Sequence, residues 1–196
     1  MNSDSSTRRA LGRPLLVAAL LLLVVALPAC GDDPFLFRWT ENPREALLYS
    51  LDRDERNRPT AFGMLNGERV ILENPATSGR WDFALDTRNG ALVLLPPRSV
   101  GVQSRAGIVE FPDVRFDEVR EAPSDTAVYV TREPVPLRMG SIYVVRTREQ
   151  QGSFGQVCVF YGKMQPLEMD PVAGTLLFRY DTSPDCNNPR LVPPGS

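Results

Sequence analysis

The stretch WDFALDTRNGALVLLP, residues 81–96, decides the fold class. Asn89-Gly90 separates two apolar-rich runs, and Asn-Gly is the strongest two-residue hairpin signal because both central positions of that turn need positive φ. A second Asn-Gly, at Asn66-Gly67, joins AFGML (61–65) to ERVILE (68–73). Eighteen prolines and little 3.6-residue periodicity argue against long helices. Short apolar runs rich in β-branched and aromatic residues, broken by turn signals, predict further strands at 107–111, 127–131, 141–147, 156–161 and 175–180. In 156–161, Val157, Val159 and Tyr161 share one face while Cys158 and Phe160 take the other, which predicts a central strand between two packed layers. The expected class is an all-β, antiparallel β-sandwich.

Upstream of this region the chain opens with Arg8, Arg9 and Arg13 against Asp4, followed by an unbroken apolar run of 13 residues from Leu15 to Leu27. A bilayer-spanning helix needs about 20 residues, so the run fits the h-region of a signal peptide that is removed on export. Leu27-Pro28-Ala29-Cys30 resembles a bacterial lipobox, in which the cysteine becomes the new N-terminus and carries acyl chains. Each buried CH₂ contributes about 0.8 kcal/mol, and stable anchoring takes more than one chain. Thr7-Arg8-Arg9-Ala10-Leu11 also looks like a twin-arginine export signal; with either export route the destination is outside the cytoplasm. The expected organisation is a signal peptide over 1–29, a lipidated linker over 30–34, a β domain over 35–182 and an extended tail over 183–196. The expected location is the bacterial cell envelope, with the protein held by lipid at the outer membrane or cell surface.

Removing residues 1–29 takes the 22 basic and 24 acidic residues to 19 and 23, a net charge of −4 on 167 residues. No basic block or nucleic-acid-reading motif is present, so no nucleic-acid partner is expected. Histidine is absent, which removes the usual acid–base and metal-ligating side chain. Twenty-one arginines against the single Lys163 suit carboxylate or phosphate contacts, though a high-GC genome gives the same bias.

Two cysteines remain beyond Cys30, and an even number in an exported chain predicts a disulfide between Cys158 and Cys186. Residues 170–174, DPVAG, read as a turn centred near 172, so opposite residues of a hairpin about it sum to about 344. Cys158 and Cys186 satisfy that sum. The absence of a Cys-x-x-Cys pattern makes the bond structural.

Four segments carry a family resemblance. GRWDFAL (79–85), SVGVQSRAGIV (99–109), FDEVREAPSD (116–125) and the long segment from Ile142 to Tyr180 follow, in order, the pattern of the HmuY-type haem-binding lipoproteins. The resemblance implies an all-β fold with a two-stranded extension that grips haem, its iron held by two histidines or, in some relatives, by methionine. This chain has no histidine, and only VTREPVPLRMGS lies between Tyr129 and Ile142, so no axial ligand carries over directly. Met139 in that shortened segment is the candidate haem ligand; Met164 and Met169 are further thioethers that serve equally as core fillers. Tyr129, Tyr143 and Tyr161 offer phenols but sit in strand patterns, where packing is their ordinary role. Trp81 reads as a core anchor and Asp82 as a group that binds backbone nearby in the chain.

A hydrolase needs an activated nucleophile, and the chain has no Gly-x-Ser-x-Gly elbow and one lysine for a Ser-Lys pair. Asp113, Asp117 and Glu118 lack the spacing of a calcium loop. The expected function is therefore that of a lipid-anchored, non-enzymatic binding protein for haem or a related tetrapyrrole. The alternative is a family member that has lost haem and contacts a surface protein or glycan.

Overall fold

The computed structural model describes residues 39, 43–72, 74, 79–152 and 155–195, all within a unit spanning Leu36–Ser196. The signal segment, Cys30 and the 30–34 linker lie outside the described residues.

The described chain forms two antiparallel five-stranded sheets. In the first the order is β1 (Arg44–Tyr49), β12 (Thr175–Thr182), β11 (Tyr161–Asp170), β8 (Ile142–Arg146) and β6 (Gly107–Phe111). In the second it is β3 (Glu68–Val70), β2 (Ala61–Gly63), β4 (Phe83–Arg88), β5 (Ala91–Leu95) and β7 (Val135–Pro136). A small separate ladder pairs β9 (Gln150–Gln151) with β10 (Val157–Cys158).

Strand alternation assigns each side chain to a layer. Phe83 and Leu85 of β4, Leu92 and Leu94 of β5, Tyr143 and Val145 of β8, and Phe178 and Tyr180 of β12 all enter one cluster between the sheets. Its centre is aromatic, with the Phe62 ring edge-on to Phe178 (5.1 Å) and to Tyr180 (4.8 Å), an arrangement that adds about 0.5–1.5 kcal/mol per pair beyond burial. The intervening residues are buried too. Ala84, Val93 and Leu95 join Trp81 and Val70 on the outer face of the second sheet. Ile142 and Val144 join Phe116, Val119, Tyr129 and Leu191 on the outer face of the first. Burial on both faces is why β5 and β8 read as continuous apolar runs rather than alternating ones.

The hairpin at 89–90 forms as the sequence predicts: Arg88 pairs with Ala91, and Asn89 and Gly90 take φ of 52° and 75°. The turn at 171–174 also forms. Its strands pair with a sum of 344 from Gly162↔Thr182 to Pro166↔Phe178, then shift by one between Pro166 and Glu168. The shift lies where β11 has outrun β8, whose pairing stops at Met164↔Tyr143. A proline without an N–H is tolerated at such an open edge.

Three expectations are corrected. Asn66-Gly67 does not make a two-residue turn; Gly63 pairs with Glu68 across a four-residue loop that drops Met64 into the core. The predicted strand 127–131 is a 3-10 turn over Thr126–Val128 plus one bridge, Ile108↔Val130, because the Asp125 side chain accepts the Ala127 N–H and diverts the backbone. The predicted central strand 156–161 shrinks to β10, and the centre of the sheet is β11, one element downstream. Its apolar two-faced look comes from Cys158 bonding to the tail and from Val159 and Phe160 packing outside regular pairing.

The tail is extended but docked. Ala122 N–H donates to Pro189 O, Leu191 N–H to Arg120 O and Asn187 N–H to Val159 O, and Leu191 is buried in the outer cluster. The same layer is held by Lys163. Its Nζ, on a side chain only 2% exposed, donates to Phe116 O (2.7 Å) and Val119 O (2.8 Å) and sits over the Phe116 ring at 4.5 Å. Desolvation pushes this ammonium down to about 8, against the attraction of Asp181 and Asp117. A folded-state value below the unfolded 10.5 means that the unfolded chain holds more protons between the two, so stability rises with pH across that interval. Above about 10 the raised Tyr129, Tyr143 and Tyr180 hydroxyls, each moved by desolvation, reverse the trend. The urea midpoint is therefore expected to climb from pH 7.5 to 9.5. Lys163→Met should flatten that climb, and an equal climb in the variant would remove Lys163 as its cause.

Candidate functional site

One hollow on the surface is a cleft of about 600 Å³ between the β5–β6 connection and the segment after β8. Local sequence makes its first wall rigid. Pro97 starts a 3-10 turn over Pro97–Val100, where a proline needs no N–H partner, and Gly101 closes it at φ 84°. Ser99 Oγ donates to Pro96 O (2.7 Å), and Val102 N–H to Pro97 O (3.0 Å). This frame presents Arg98 and Arg105. The opposite wall is Arg148 and Glu149, with Trp81 at the base.

Asp82 fixes the Arg148 wall from below. It is fully buried, and its carboxylate accepts from Met64 N–H and Arg148 N–H, both at 2.8 Å, and lies 3.5 Å from an Arg148 guanidinium nitrogen. Desolvation raises its pKa against the pull of those donors. Trp81 is thus a core anchor as expected, whereas Asp82 staples backbone 18 and 66 positions away rather than nearby.

A second hollow of about 300 Å³ adjoins the first and shares Arg98 and Arg105; Arg146, Tyr129, Thr126 and Thr131 complete it. Arg146 donates to Arg105 O, while its Nε is buried with no acceptor. Arg105 pairs with Glu149 at 3.0 Å. Arg98 faces no carboxylate partner among the described residues. Four guanidinium groups therefore converge on a chain of net negative charge, with Glu149 and the buried Asp82 as the acidic groups beside them.

Met139 lies elsewhere, exposed on the turn between β7 and β8. That turn is tight: Tyr143 OH accepts the Arg138 N–H (2.8 Å) and donates to Pro136 O (2.9 Å), and Ser141 Oγ donates to Glu110 (2.8 Å). Burial pushes Glu110 up, but the Ser141 and Arg138 hydrogen bonds outweigh it and hold the carboxyl below the ordinary range. Met164 is in the sandwich core and Met169 packs against it. Tyr129 OH donates to Pro123 O (2.9 Å) and Tyr143 is pushed by desolvation up to about 12, so neither phenol is set to ionise. Tyr161 packs against the outer cluster. Asp117 turns to Arg115, and Glu118 accepts the Arg115 N–H. Cys158 and Cys186 form a disulfide, with Cα atoms 5.1 Å apart.

No family model matches the chain, and no curated protein is similar to it. The HmuY-type resemblance therefore rests on the order of its four segments. The arginine cleft escaped sequence reading because its members come from two loops some 40 residues apart. The one local signal was Arg146-x-Arg148, which follows the apolar strand Ile142–Arg146 and places two guanidinium groups on the same side.

Proposed function

We propose that the chain is a lipid-anchored envelope protein acting as a non-enzymatic binding module, and that its arginine cleft takes an anionic group of an envelope component. The observation that carries this reading is the gathering of Arg98, Arg105, Arg146 and Arg148 at adjoining hollows of an otherwise acidic domain. Guanidinium forks match carboxylate and phosphate oxygens, and a half-buried cleft screens them less than open surface does. The lipobox supports the anchor, with Cys30 as the acylated residue. The reading corresponds to a relative of the haem lipoproteins that has kept the sandwich and changed its ligand: Met139 and the cleft are separate features, so the thioether and the arginines do not serve one ligand.

Calorimetry on the full-length chain at low salt tests it with inorganic phosphate as probe. Saturable binding, weakened about tenfold or more by Arg98→Gln, is expected from the loss of a charge-assisted hydrogen bond. Hemin should give no Soret shift that depends on Met139. A stoichiometric shift abolished by Met139→Ala, with no phosphate binding, would replace this reading with the haem one.

A further inference from the structure

We infer that the ligand of the cleft carries two phosphate groups, one for each of the hollows that Arg98 and Arg105 share. The inference rests on the cleft being an anion site and adds the number and chemistry of the anions. The larger hollow combines Arg98, Arg105 and Arg148 with Ser104 and Gln103. The smaller combines Arg98, Arg105 and Arg146 with Thr126 and Thr131. Each therefore mixes guanidinium groups with neutral hydroxyl or amide donors. A carboxylate has two oxygens and is satisfied by one fork, whereas a phosphate monoester presents three oxygens and up to two charges, enough for several donors.

A single phosphate would use one hollow and leave the donors of the other idle. Arg146 is the clearest of these, since it lines only the smaller hollow and its guanidinium otherwise donates to Arg105 O. The two hollows adjoin, so the phosphates belong to one compact molecule, a bisphosphorylated sugar or a lipid headgroup with two phosphates.

The test compares fructose 1,6-bisphosphate with fructose 6-phosphate by calorimetry on the full-length chain at low salt. The bisphosphate is expected to bind about 10- to 100-fold tighter, the worth of one further set of charge-assisted hydrogen bonds. Arg146→Gln should bring that ratio close to one by weakening the bisphosphate far more than the monophosphate. Thr126→Val, at an exposed position, should lower the ratio as well and carries the test if Arg146→Gln melts early. Vesicles of phosphatidylcholine doped with phosphatidylinositol 4,5-bisphosphate, which carries two phosphate monoesters, or with phosphatidylinositol 4-phosphate, which carries one, separate the sources. Selective binding to the bisphosphate vesicles with weak sugar binding identifies a lipid headgroup, and the converse identifies a soluble ligand. Equal affinity for one and two phosphates in both arms overturns the two-phosphate inference and leaves the anion cleft standing. No binding in either arm overturns both.

Discussion

Asp82→Ala is expected to lower the stability of the domain by about 2–5 kcal/mol, because it strips the acceptor from two buried N–H groups at once and each orphaned donor costs about 1–3 kcal/mol. Those donors belong to different layers: Met64 follows β2 in one sheet, and Arg148 follows β8 in the other. The loss falls where the sheets meet, so it should appear as one cooperative shift in melting temperature of roughly 5–15 °C for a domain of this size. Asp82→Asn keeps the shape and one oxygen but turns an amide N–H₂ toward a backbone N–H. It should therefore be only partly milder than alanine. The carboxylate is itself poorly hydrated, and its raised pKa records a desolvation cost that either substitution relieves, which sets the upper end of the range. Thermal melts at pH 7 decide the matter; a loss below about 0.5 kcal/mol, the scale of an ordinary surface substitution, would mean that Asp82 is not the staple.

The second large effect belongs to the disulfide. Cys158 and Cys186 are separated by 28 positions, and closing such a loop contributes about 3–4 kcal/mol on the chain-entropy model. The double substitution to alanine should lower the urea midpoint accordingly, with little change in slope. Its local signature is more specific. The tail keeps its hydrogen bonds to Val159, Arg120 and Ala122, but without the covalent link these open together, uncovering Leu191 and the Phe116–Val119 layer it closes. Amide exchange at residues 187–191 is expected to quicken more than exchange in β4 or β5. Uniform acceleration across the sandwich would instead assign the bond a purely global role.

Much of the fold was legible because certain residues admit few alternatives. Asn89-Gly90 dictates a two-residue hairpin, and the sum of 344 that relates Cys158 to Cys186 also describes the inner register of β11 and β12. Asn66-Gly67 misled for a specific reason: Met64 gains more by entering the core than the loop gains from a tight turn. At 127–131 a short side-chain bond from Asp125 outweighed β propensity. The cleft left only one local trace in the sequence, Arg146-x-Arg148. Its arginines resemble any solvated surface arginine until the Pro97 turn and the end of β8 are brought side by side.

The sheet order has a kinetic consequence. Among the described residues, Arg44–Tyr49 pairs only with Thr175–Thr182, and its other edge carries no strand of the same sheet. A chain delivered from its N-terminus thus presents its opening strand long before the closing strand arrives to cover it. Such distant closure slows folding and leaves an unsatisfied ladder open to strangers in the interval. In a protein of this connectivity the first sheet is complete only when its last strand, Thr175–Thr182, has arrived.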